Sequence, residues 1–163
     1  MKVMDSQPLE AKRDAPAFSQ ASIDIAAPAA LVWQIMTRVE EWPKWNPDIK
    51  TAALDSPLER GARIVWKSGP GTIRSEIVDL TPLARMSWTG TSLGIHAIHV
   101  WKLQPADGHA RVQTEESWEG LLPRLASGYS RRTLDKALSN GLGYLKTEAE
   151  RRAQDWVSDP DVA

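Results

Sequence analysis

The chain has no cysteine, which excludes disulfides, thiolate nucleophiles and zinc–cysteine sites. It also lacks an excess of either charge: 20 Lys and Arg stand against 21 Asp and Glu, for a net charge of -1. With no basic block, nothing points to a nucleic-acid partner. No apolar run approaches the ~20 residues that cross a bilayer, so no membrane span is expected. Met1 to Asp14 holds no hydrophobic segment of the signal-peptide kind, and a cytoplasmic location is the default expectation. Small aromatics are scarce: one Phe and two Tyr against eight Trp. A small domain seldom fills an ordinary core with the largest side chain, each copy of which brings an N–H that needs a partner. Indoles around a cavity are one explanation. At 163 residues the chain reads as one domain, here residues 18–157, between tails at 1–17 and 158–163.

The strongest local signal lies near the end. On a helical repeat of about 100° per residue, Leu134, Leu138, Gly141, Leu142, Leu145 and Ala149 share one stripe, opposite Lys136, Asn140, Lys146, Thr147 and Glu150. The pattern predicts an amphipathic helix over Ser130–Gln154, longer than usual. Gly141 falls on the buried stripe, where glycine costs about 1 kcal/mol relative to Ala. It either admits close packing or leaves a space.

Upstream, period two dominates. A strand is expected from Phe18 to Ala26, with Ile23 and Ile25 inward. Ala27-Pro28 opens a helix with Leu31, Val32, Ile35, Met36 and Val39 on one face. Pro43 and Pro47 end regular helix and leave room for one more turn at most. Ile49–Leu54 is a short strand. Alternation then continues through Ala62–Ser68, Ile73–Val78, Met86–Thr89, Ile95–Leu103 and Val112–Trp118, punctuated by Gly69-Pro70-Gly71, a loop at Gly90–Gly94 and Asp107-Gly108. A crossing with a short helix around Leu121–Leu125 leads into the long helix. Such an order predicts an α+β fold in which a curved seven-stranded antiparallel sheet wraps around the long C-terminal helix.

Certain residues resemble a known family: Ala27-Pro28, Val32-Trp33, Trp42-Pro43, Trp45 and Pro47, then Trp66-Lys67, Thr81-Pro82 with Met86 to Gly90, Trp101-Lys102-Leu103, and Glu116 to Gly120. Together they are similar to the START-like (SRPBCC) superfamily, in its polyketide cyclase/dehydrase-like branch, over roughly Phe18 to Ala153. The resemblance implies a helix-grip fold with a hydrophobic cavity between sheet and C-terminal helix. It implies relatives that bind lipids, sterols, polyketides or hormones, and others that are cyclases or protein-interaction modules. It carries no catalytic residue over to this chain, because fold and activity separate readily.

Two groups of residues can carry chemistry. Trp66, Trp88, Trp101 and Trp118 lie on four strands, each on the expected inward phase. They form either plain core or the wall of a cavity with a few placed polar groups, here Ser75, Thr114, His99 and Glu116. Leu138, Gly141 and Leu142 would close it from the helix. The expected volume is on the order of a few hundred Å3. The second group is His99 with Glu116. If Asp107-Gly108 is a two-residue turn, Ala106 opposes His109 and, counting back, His99 opposes Glu116. Such a pair in an apolar site either orients a ligand or water, or serves as acid and base. One His and one carboxylate are too few for a metal, and no cofactor is expected. Trp42–Pro47 is a packed corner or the rim of a cavity mouth. The expected partner is a hydrophobic or aromatic small molecule, either carried unchanged or, alternatively, cyclised or dehydrated with His99 and Glu116 as acid and base. An interaction module is the third possibility, disfavoured by the mostly polar outward strand positions.

Overall fold

A computed structural model describes residues 7–156. The expected tail at 158–163 lies outside them. After β1 (Ala17–Ile25) come α1 (Ala29–Thr37), a 3-10 turn (Val39–Glu41) and the one-turn α2 (Trp42–Trp45). Six strands follow: β2 (Ile49–Leu54), β3 (Arg63–Ser68), β4 (Gly71–Thr81), β5 (Arg85–Ser92), β6 (Ile95–Ala106) and β7 (His109–Glu119). The chain ends in α3 (Leu121–Leu125) and α4 (Ser127–Trp156). Pro28 caps α1 from the position just before it, and Pro43 sits in the first turn of α2, where a missing N–H costs nothing.

The strands form one antiparallel sheet in the order β1-β7-β6-β5-β4-β3-β2. Hairpins join β2 through β7 in succession, and β1 closes against the last of them. The Asp107-Gly108 turn sets the β6–β7 register: Ala106 opposes His109 and His99 opposes Glu116. Gly108 supplies the positive φ, +67°, that such a turn requires. The strand at β5 runs to Ser92, three residues into the stretch expected as a loop. A bulge between Ile77 and Asp79 shifts the phase of β4, so that Ser75, Ile77 and Leu80 face inward while Asp79 turns out.

The 30-residue α4 lies across the concave face, longer at both ends than its stripe of leucines required. Leu134, Leu138, Leu142, Leu145 and Ala149 are all buried, each leucine contributing about 1.5–3 kcal/mol by leaving water. Leu142, Leu145 and Ala149 share a core with α1 and the strand residues Ile25, Ile64, Ile77, Met86, Leu103 and Val112, while Leu134 and Leu138 pack with Ala17 of β1. This is the architecture of a helix-grip fold.

Part of the convex face is covered too. Residues 8–16, polar and aperiodic, run over it without helix or strand and turn at Lys12–Ala15, where the Ala15 N–H donates to the Lys12 carbonyl at 3.1 Å. Leu9 N–H donates to Asp79 Oδ2 at 2.8 Å and Lys12 N–H to Ser117 Oγ at 3.0 Å, while the Arg85 guanidinium donates to the Leu9 carbonyl. Glu10 pairs with Arg85 and Lys102, and the Arg13 guanidinium lies over the Phe18 ring at 5.2 Å. Beneath this strap Ser87, Val100, Glu115 and Ser117 are buried, although all four sit on the phase expected to face solvent.

Candidate ligand-binding site

Between the sheet and α4 lies a cavity of about 100 Å3. Its walls are Trp66 of β3, Trp88 of β5 and Trp101 of β6, and Ala137, Leu138, Gly141 and Leu142 from α4. Its polar groups are His99, Thr114 and Glu116. The α2 corner completes it with Trp42, Trp45 and Asn46, and Asp48 and Ser68 stand at the exposed end. No Lys or Arg among the described residues lines it.

The volume is smaller than the few hundred Å3 expected, and the reason is Trp42. Nothing in strand periodicity places this residue in the site. Two prolines fold the α2 corner over the mouth of the sheet and drive its indole into the concavity. The ring packs edge-on to Trp66 at 5.7 Å and tilted against Trp88 and Trp101 at 5.8 and 6.0 Å. Its Nε1–H is satisfied by the Met36 carbonyl at 3.0 Å. The neighbouring Trp45 is different: its Nε1 is buried with no hydrogen-bond partner among the described residues.

Gly141 leaves space. A Cβ added there would find nothing nearer than Asn46 Nδ2 at 3.9 Å, so the glycine keeps the helix from filling the cavity. Two residues expected in the wall do not reach it. Ser75 is buried one layer away, where it accepts the Trp66 Nε1–H at 3.0 Å. Trp118 packs beside Ala17, Leu134 and Leu138, at the end of the sheet where α4 closes down on β1. Sheet curvature separates positions that share a phase.

The polar groups form a directed chain. Trp101 Nε1–H donates to His99 Nε2 at 2.9 Å. An indole N–H can only donate, so Nε2 must be the bare nitrogen, and the Thr114 hydroxyl, 2.8 Å away, shares the same lone pair. Neutral His99 therefore carries its proton on Nδ1, which lies 3.2 Å from Glu116 Oε2. The other carboxyl oxygen, Oε1, accepts the Trp118 Nε1–H at 2.7 Å. Each indole stands two residues beyond its partner on the same strand, a His-x-Trp and a Glu-x-Trp. That spacing puts donor and acceptor on one face and was visible in the sequence.

Burial decides the charge state. It pushes His99 down to about 3 and Glu116 up to about 7, the Trp118 hydrogen bond opposing the latter only in part. A protonated His99 would also turn an Nε2–H toward the Trp101 N–H, donor against donor. The two groups thus face each other as neutral imidazole and a carboxyl group that keeps its proton up to near neutrality, not as an ion pair. Among the described residues no group of three or more His, Cys, Asp or Glu could hold a metal.

The family model for "Polyketide cyclase / dehydrase and lipid transport" matches residues 18–150. The chain belongs to that family. No curated protein matches the sequence closely. Among solved structures, a hypothetical protein from Helicobacter pylori superposes with a TM-score of 0.75 at 17% identity, covering 91% of this chain and 99% of that one. A START superfamily protein from Mycobacterium smegmatis gives 0.72 at 15% identity over 82% and 97% of the two chains. The Zhui aromatase/cyclase from Streptomyces sp. R1128 gives 0.66 at 19% over 83% and 94%. At such identities the likeness is one of fold. In this member of the polyketide cyclase/dehydrase and lipid transport family the matched segment contains every cavity residue named above. It begins at the second residue of β1, after the strap. No described helix is long and apolar enough to cross a membrane.

Proposed function

We propose that this protein binds a hydrophobic or aromatic small molecule in the cavity between the sheet and α4. The observation that carries the reading is the composition of the wall: three strand-borne indoles, Trp66, Trp88 and Trp101, facing a helix whose stripe is broken by Gly141. Efficient packing would fill that position, since an added Cβ meets no clash. Membership of a family that includes lipid transport is consistent with it. Native mass spectrometry of the purified protein tests it, with wild type expected to retain a small molecule that Gly141→Leu loses while keeping its fold. No retained molecule, together with no change in tryptophan fluorescence across a panel of apolar aromatics, would sink the reading.

A second reading, an enzyme of the cyclase or dehydratase kind, is favoured by one observation. Glu116 holds its proton up to about pH 7, the property a general acid needs at neutral pH. His99, locked as an acceptor at Nε2 and held neutral, serves that reading as an orienting group rather than as a base. Turnover abolished in Glu116→Gln with ligand binding retained would mark catalysis. Equal retention of both would leave binding alone.

A further inference from the structure

The reading of the cavity as a ligand site leaves the class of ligand open, and three features narrow it. The first is size. At about 100 Å3 the cavity is smaller than an engineered cavity of roughly 150 Å3 that takes benzene and well below the usual roughly 300–1,000 Å3. One ring fits with modest adjustment, and two fused rings do not.

The second feature is the direction of the hydrogen bonds. Trp101, His99 and Trp118 all present N–H groups along one path that ends at Glu116. His99 has no lone pair left: Nδ1 holds the proton, and the Nε2 lone pair is taken by Trp101 and Thr114. A proton on Glu116 therefore has no acceptor in His99. Its hydrogen-bond direction is unused by the protein, and Glu116 lines the cavity. The third feature is charge. The titratable groups facing Glu116 are His99 on β6, held neutral, and Asp48 at the cavity mouth. Asp135 of α4 is turned to Ser19 of β1, the residue opposite Glu116 on its other side. None is a cation, so only the N–H groups of Trp118 and His99 offset a carboxylate, and the neutral acid is the form this site accommodates. Trp45, which also lines the cavity, has a buried Nε1–H without a partner among the described residues.

We propose that the cavity takes a neutral single-ring molecule through a carbonyl or comparable acceptor oxygen that receives a hydrogen bond from Glu116, with Trp101 as the positioning residue that keeps this bond directed at the ligand. Trp101 acts through His99. Without the indole N–H, the imidazole can move its proton to Nε2, donate to Thr114 and accept from Glu116 at Nδ1. The acid proton is then consumed inside the protein and the ligand loses its donor. This proposal rests on the cavity being a ligand site.

The test uses three probes on the full chain: acetophenone, isopropylbenzene of nearly the same shape without an acceptor, and 2-acetylnaphthalene with a second ring. Binding is read by calorimetry and tryptophan fluorescence at about pH 6, below the Glu116 transition near 7. Wild type should bind acetophenone about tenfold or more tighter than isopropylbenzene, equivalent to about 1.4 kcal/mol, and 2-acetylnaphthalene more weakly than either. Glu116→Met should erase the preference for acetophenone. Trp101→Phe should erase it too, and 15N spectra of His99 should then show the protonated nitrogen moving from Nδ1 to Nε2, a change that loss of packing alone does not produce. Trp101→His, whose ring N–H can again donate, should restore part of the preference. Equal affinity for the ketone and the hydrocarbon in wild type would overturn the proposal. So would tight binding of the two-ring ketone, or an unshifted His99 tautomer in Trp101→Phe. Each of those leaves the cavity as a ligand site, whereas failure of all three probes to bind, with Gly141→Leu indistinguishable from wild type, would remove the site itself.

Discussion

On its concave face the sheet is covered by α4 and the α1–α2 corner, and over part of its convex face by residues 8–16, which form neither helix nor strand. The helix is a rigid cylinder standing off a curved surface. It touches the sheet through a stripe of leucines and leaves a hollow where Gly141 interrupts that stripe. The strap instead lies directly against the sheet and buries Ser87, Val100, Glu115 and Ser117. Its grip is polar: backbone N–H groups on Asp79 and Ser117, a carbonyl on Arg85, and ion pairs at its edge. One sheet with alternating side chains thus serves a face that encloses and a face that is overlaid in part. The difference lies in the shape of the cover rather than in the strands.

Removing the largest side chain from the enclosed face should do the most damage. Trp42→Ala is expected to cost about 3–5 kcal/mol, measured by denaturant unfolding, because the ring touches three other indoles. Deleting residues 1–16 should cost less and leave a cooperative transition, since Ser87, Glu115 and Ser117 regain water. If the deletion unfolds the chain, the strap belongs to the core and the contrast between the faces fails.

The pair in the cavity should show itself in the pH dependence of stability. Glu116 titrates near 7 when folded and near 4.5 when unfolded. The folded state therefore holds the extra proton between those values, and stability falls as pH rises through them. His99 does the opposite: near 3 folded and 6.5 unfolded, it makes stability rise with pH over that window. From about 4.5 to 6.5 the two slopes offset each other in wild type. Glu116→Gln should unmask a rise with pH of up to about 1.4 kcal/mol per pH unit, and His99→Gln a fall of the same size. A flat profile in both variants would mean that the two groups are solvated.

Smaller effects separate a helix that leaves a space from a strap that fills one. Gly141→Ala should stabilise by up to about 1 kcal/mol through helix propensity, with a melting point that rises while affinity for any cavity ligand falls. At the strap, the Lys12–Glu119 pair has side chains 49% and 40% exposed. Glu119→Gln should therefore change stability by no more than about 1 kcal/mol and lose even that in high salt.

Periodicity and turn chemistry were sufficient for the element order and for much of the site. Alternation placed Trp66, Trp88 and Trp101 on inward phases, and a two-residue Asp-Gly turn made His99 oppose Glu116, because register follows from turn length alone. Three things needed the assembled molecule. Trp42 enters the cavity because the proline-bound α2 corner folds over the sheet, an event with no period to betray it. Ser75 and Trp118 share the inward phase yet miss the cavity, because phase specifies a face and curvature specifies a place on it. The outward Ser87, Val100, Glu115 and Ser117 are buried by a segment without pattern, held by backbone groups that every residue carries alike. Charge followed the same division: the sequence by itself determined that a His and a Glu would meet, while only the tertiary structure decided that both would be neutral, because desolvation depends on what surrounds a group in space.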